Sequence, residues 1–164
     1  MLLEILKRTP PWVFALFFLL LALGYGQSRT RVVARRNVAL LPAAMLLLSC
    51  YGVISVFGAA PLAIASWLAG AAIAVWLGID FGFPRGVSCQ NEGNSFSIPG
   101  SWLPLVLMMV IFFTRYTVAV LLARQPSLAE TPEFAGLTSY GYGFLGGLFL
   151  SRVLVIWRSA RPRG

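Results

Sequence analysis

The chain has 164 residues and a net charge of +8. Hydrophobic residues make up 59% of it, charged residues only 11%, and it contains no histidine. A soluble domain carries about 25% charged residues, so the composition argues against a water-soluble fold. The missing histidine excludes histidine-ligated haem and metal. Cys50 and Cys89 form no CxxC or other metal-ligand spacing, so neither a metal nor a cofactor is expected. In a soluble protein a charge of +8 would suggest nucleic acid. Here most of the basic residues flank apolar runs, where membrane orientation explains them better, and no nucleic-acid partner is expected.

Asp, Glu, Lys and Arg are absent from 9–28, 37–79, 93–114 and 134–151. A bilayer-spanning helix needs about 20 mostly apolar residues. The expected fold is therefore all-α: a five-helix transmembrane bundle, in one integral membrane domain over 1–164, with the bilayer as its surroundings.

In chain order, LLEILKR (2–8) is a short segment that TPP (9–11) breaks. Span one covers 12–25. It is read as a retained span rather than a signal peptide, because four arginines follow it at once. GYGQSRTRVVARRN (24–37) is a connecting segment holding Arg29, Arg31, Arg35 and Arg36. These four fix topology and are candidates for contact with anionic lipid headgroups. Span two covers 38–57, with Pro42 in its first turns. FGAAPLA (57–63) offers a turn, since Pro61 disfavours helix before it. Span three covers 62–79, and its many small residues suggest a packed central helix. The polar loop 80–99 contains GVSCQNEGNSFSI (86–98), read as a small β-hairpin turning at NEGN (91–94). Span four covers 102–123, RQPSLAETPEF (124–134) is a loop, and span five covers 137–157. Within span five Gly143 and Gly147 stand at GxxxG spacing, suited to close helix packing or to a homo-oligomer contact.

Orientation follows from the basic residues. With the N-terminus outside, Arg29, Arg31, Arg35, Arg36, Arg85, Arg158, Arg161 and Arg163 lie inside, and Lys7, Arg8 and Arg124 lie outside. The expectation is a bacterial cytoplasmic (inner) membrane, with the C-terminus and the 80–99 hairpin cytoplasmic. Trp12, Trp67, Trp102 and Trp157 fall near span ends, as interfacial anchors do.

MVIFFTRYTVAV (109–120) places Arg115 inside an apolar run. Counted from Trp102 it lies about 20 Å along span four, beyond the middle of a roughly 30 Å hydrocarbon core. A charge there is costly unless it is solvated, paired or able to snorkel. Matched by depth alone, its candidate neighbours are Ser49, Cys50 and Tyr51 on span two, Ser66 and Gly70 on span three, and Tyr140 and Tyr142 on span five. Thr114, Tyr116 and Thr117 flank it on its own helix. No carboxylate occurs within a span. An unneutralised guanidinium among hydroxyls would attract an anionic small molecule or a lipid headgroup. Arg152, near the end of span five, is read as a snorkelling residue.

No Ser–His–Asp set, P-loop, Rossmann glycine pattern or membrane-embedded acid pair appears, and no enzyme activity is expected. LGYGQSRTR (23–31), LLPAAMLLLSCYG (40–52), FPRGV (83–87) and IPGSWLPLVLMMVIFFTRYTVAVLL (98–122) resemble a family of small bacterial inner-membrane proteins classed only as a domain of unknown function. The layout is also distantly similar to CcdC-type proteins linked to cytochrome c maturation, although paired cysteines are missing here. The resemblance implies a fold and a membrane location, and no activity. The expected function is non-enzymatic binding of an anionic ligand or lipid at Arg115, with alternatives in a solute transporter or channel subunit and in a membrane assembly factor.

Overall fold

A computed structural model describes residues 11–82, 88–90, 95–98 and 100–159. It contains five helices: α1 (Pro11–Gly26), α2 (Arg35–Phe57), α3 (Pro61–Phe81), α4 (Leu103–Arg124) and α5 (Pro132–Ser159). Three short strands join them, β1 (Arg31–Ala34), β2 (Ser88–Gln90) and β3 (Ser95–Ile98), and a 3₁₀ turn covers Pro126–Glu130. Helices α2 to α5 are long and apolar enough to cross a membrane. The 16 residues of α1 reach about 24 Å, short of a full hydrocarbon core.

The apolar surface is turned outward. Phe18, Leu40, Leu47, Trp76 and Leu137 are each more than 60% exposed. Water would not tolerate so continuous a greasy surface on a monomer; lipid would.

The central helix is α5, not α3 as its small residues suggested. About 61% of its apolar window is buried, against 17% for α2, α3 and α4. Its polar and small residues lie all round it, and such a helix is stable only when enclosed by others. It packs most extensively on α3, then on α2. The α3 contact is parallel and close. Gly70 stands against the Tyr140 carbonyl, Gly143 against the Trp67 carbonyl, and a Cβ built on Gly147 would lie 2.6 Å from the Ala71 carbonyl. Small residues at such a seam let backbones approach and gain dispersion where lipid offers no hydrophobic drive. The GxxxG face of α5 is thus covered by α3 of the same chain.

Helix α1 lies antiparallel on α4, with Phe17 near Phe112 and Gly24 over Leu105. Leu20, Leu107, Met108 and Phe149 form the core joining this pair to α5. The α2–α3 corner follows local rules: Gly58, in the left-handed region at φ 63°, ends α2, and Pro61 opens α3 at a position needing no N–H donor.

The expected two-strand hairpin is one part of a three-stranded antiparallel sheet ordered β1-β3-β2. The added strand is β1, from the arginine-rich segment read as a plain connection. It pairs Arg31 with Ile98 and Ala34 with Ser95. This pairing holds the α1–α2 and α3–α4 connections at one end of the bundle. Ile98 seats the sheet on the helices through Val38 and Ile156. Two bonds brace the junction: the Ser101 amide donates to the Gln27 carbonyl at 3.1 Å, and the Gly100 amide donates to Thr30 Oγ1 at 3.4 Å. The NEGN turn lies outside the described residues.

Other boundaries also move. Helix α2 starts at Arg35, so Pro42 lies inside it rather than in its first turns; the bond from residue 42 to the Val38 carbonyl is lost. Helix α5 starts at Pro132, within the expected 124–134 loop, whose middle is a 3₁₀ turn over Pro126–Glu130, with Thr131 Oγ1 donating to the Leu128 carbonyl at 2.8 Å.

Candidate functional site: two arginine centres

The first centre is Arg115. Midway along α4, its side chain reaches across α2 and donates from Nη2 to the Leu48 carbonyl. A helical carbonyl keeps a second lone pair for such an outside donor. The guanidinium carbon lies 5.2 Å from the centroid of the Tyr142 ring on α5, within range of a cation–π attraction. Gly52 makes this path possible, because a Cβ there would collide with Nη2 and sit 2.8 Å from Cζ.

Beside it runs a hydrogen-bonded chain through three helices. Trp67 Nε1 of α3 donates to Ser49 Oγ of α2 at 2.9 Å. Ser49 Oγ donates to the Tyr142 carbonyl of α5 at 2.7 Å. The Ser49 hydroxyl thus both accepts and donates, and it is buried. Trp67 is therefore tied into the bundle rather than placed as an interfacial anchor. Trp102 and Trp157 are exposed at the sheet end.

Of the residues matched to Arg115 by depth, Ser49 and Tyr142 meet it. Tyr51 points away from the bundle, 69% exposed. Tyr140 stacks on Phe144, Ser66 lies near Gly136, and Tyr116 stacks on Phe112. None of these four lines the crevice around Arg115, which is formed by Met45, Leu48, Ser49, Ile111, Tyr142, Leu145 and Gly146. Its free space is about enough for one water molecule. Leu48 and Gly52 are the partners that sequence reasoning missed. Arg115 is a permanent cation answered by a carbonyl dipole and a ring face, which suits a clasp across α4, α2 and α5.

The second centre lies at the sheet end. Gln27 and Arg29 of the α1–β1 connection, Asn37 of α2 and Arg152 of α5 line one cavity of about 540 Å³, counting its open mouth. Its volume is about twice that of the Arg115 crevice, at about 250 Å³ on the same measure. Val38, Leu41, Pro42, Phe149, Val153 and Ile156 supply apolar lining. Arg29 is steadied by Tyr25: its guanidinium carbon lies 5.6 Å from the ring centroid, and Nη2 donates to the Tyr25 hydroxyl at 3.4 Å. Tyr25 in turn meets Trp102 edge-on. Arg152, expected only to snorkel, helps form the cavity wall. Arg31 lies in β1, and Arg35 and Arg36 open α2.

Among the described residues, no group of His, Cys, Asp and Glu side chains is arranged to hold a metal ion.

Four long apolar helices, a lipid-compatible surface and arginines tucked into the bundle mark a polytopic membrane protein. The chain belongs to a family of unknown function, DUF6622, whose model matches residues 1–164. No curated protein and no solved structure matches it.

Proposed function

We propose that the chain is a non-enzymatic, five-span protein of a bacterial inner membrane that binds an anionic group. The seat of the anion is the cavity of Arg29 and Arg152 rather than the Arg115 crevice. One observation carries this reading: two arginines, a glutamine and an asparagine line a single cavity that has no carboxylate residue in its lining among the described residues. Planar guanidinium donors match phosphate and carboxylate oxygens. The Arg115 crevice has space for little more than a water molecule, which favours a structural role there.

Two additives test the reading, inorganic phosphate and a single-chain alkyl phosphate. Either should raise the melting temperature of the purified protein at constant ionic strength, as any ligand of the folded state does. Arg152→Gln should abolish the rise, while Arg124→Gln, an exposed arginine at the opposite end, should keep it. No rise with either additive, or an equal rise in Arg152→Gln, rejects the site.

With α1 counted as a fifth span, its shortfall in length absorbed by local thinning of the bilayer, the orientation is N-terminus outside and sheet cytoplasmic, supported by the positive-inside count. Reporter fusions after Gln90 should read cytoplasmic and after Leu128 external; the reverse pattern would invert the topology.

A further inference from the structure

We infer that the anion held at the Arg29–Arg152 cavity is the phosphate of an acidic phospholipid, which enters from the bilayer. This rests on the anion-site reading above and adds the ligand's chemical class. Three observations carry it.

The first is the mixed chemistry of the cavity. Gln27, Arg29, Asn37 and Arg152 bring hydrogen-bonding and charged groups to its lining, while Leu41 and Phe149 bring apolar ones. A free phosphate would use only the polar residues. A phosphate diester on a diacylglycerol would use both kinds, its oxygens at the polar residues and its glycerol and first methylenes at the apolar ones.

The second is depth. Trp102 and Trp157 are exposed at this end of the bundle, the position aromatic residues take at the headgroup level. Trp102 contacts the Tyr25 ring that carries Arg29, and Trp157 directly follows Ile156 of the cavity wall. The cavity therefore sits where a lipid phosphate sits.

The third is access. Leu40, next to the cavity residue Leu41 on α2, is 71% exposed, so the outer face of α2 beside the cavity is apolar and open to acyl chains. The charge excess is also of the right kind. Basic side chains at the cytoplasmic face attract acidic lipids.

The test compares three ligands on the detergent-purified full chain by native mass spectrometry and melting temperature. They are phosphatidylglycerol, phosphatidylcholine with the same acyl chains, and the water-soluble headgroup glycerophosphoglycerol. Phosphatidylglycerol should bind one per chain, at least about tenfold more tightly than the other two. Tenfold corresponds to about 1.4 kcal/mol, the scale of one hydrogen bond to a charged group. Arg152→Gln and, separately, Arg29→Gln should each remove that preference. Arg29 lies in an exposed connection, so its variant keeps the test valid if Arg152→Gln fails to fold. Equal binding of the two lipids, or an undiminished preference in both variants, overturns the lipid assignment. If phosphate or alkyl phosphate still stabilises the protein in an Arg152-dependent way, only the lipid assignment falls. If nothing anionic binds, the anion site falls with it.

Discussion

Gly143→Leu will destabilise the purified protein by about 3 kcal/mol, the upper part of the range for overpacking a close-packed interior, while Gly141→Leu will be tolerated. The two glycines are two residues apart on α5 and differ in what faces them. At Gly143 a Cβ would run into the Trp67 carbonyl and lie 2.8 Å from its carbon, both α3 backbone atoms that cannot rotate aside. At Gly141 nothing lies within 4 Å. Leucine at 143 must therefore push α3 and α5 apart, and the Trp67–Ser49–Tyr142 hydrogen bonds lengthen with them. Unfolding by denaturing detergent, followed by tryptophan fluorescence, measures the effect. Equal midpoints for the two variants would show that α3 and α5 do not meet through this seam.

The second large effect is a change of sign. Gly52→Ala will cost about 2 kcal/mol in the wild-type background, because the new methyl group occupies the path of the Arg115 guanidinium. The arginine must then give up the Leu48 carbonyl and the Tyr142 ring. Leaving a charge without partners at this depth is costly. In the Arg115→Leu background the same substitution will stabilise by up to about 1 kcal/mol, since alanine is the better helix former and nothing now competes for the space. Arg115→Leu alone will change stability little, because exchanging a buried charge for a packed apolar group is often neutral. The double-mutant cycle isolates the coupling. If the effects of Gly52→Ala and Arg115→Leu simply add, the clasp described here does not exist.

The helices were readable in the sequence because charge-free runs have the length that a bilayer demands, and because Gly58 and Pro61 punctuate one of them. Strand β1 was not. Its four residues RVVA lack a clean alternation, and what makes them a strand is a partner more than sixty residues away at 95–98. The neighbours of Arg115 were legible only in part, for a geometric reason. Depth says nothing about helix face. Ser49 and Tyr51 are two residues apart, so they point about 200° apart around α2; one meets the arginine cluster and the other the outside. Leu48 contributes a carbonyl, which carries no side-chain signal. Gly52 did carry one. It lies three residues from Ser49 and so shares its face, and a glycine at the depth of an unpaired arginine marks where the guanidinium can pass. The misjudged central helix has a similar cause. Small residues show that a helix packs closely somewhere, but in α3 they surround the helix, and only those of one face, Ala63, Gly70 and Ala74, are buried, while Ala65, Ala69 and Ala72 are exposed. In α5, Ser139, Tyr142, Gly146 and Ser151 are all buried, on more sides than lipid could be allowed to touch.

The central position of α5 also bears on the order in which the chain can assemble. A ribosome delivers α5 after the other four helices. Until it arrives, α3 lacks the surface that Gly70, Ala71 and Ala74 pack against, and Ser49 has no Tyr142 carbonyl to accept its hydrogen bond. The helix of mixed polarity, carrying Ser139, Ser151 and Arg152, is the least suited of the long helices to wait alone in lipid. Among these five helices α5 is the one that joins α2 and α3 to the α1–α4 pair, so a nascent chain stopped before residue 132 holds the parts of the bundle without the helix that unites them.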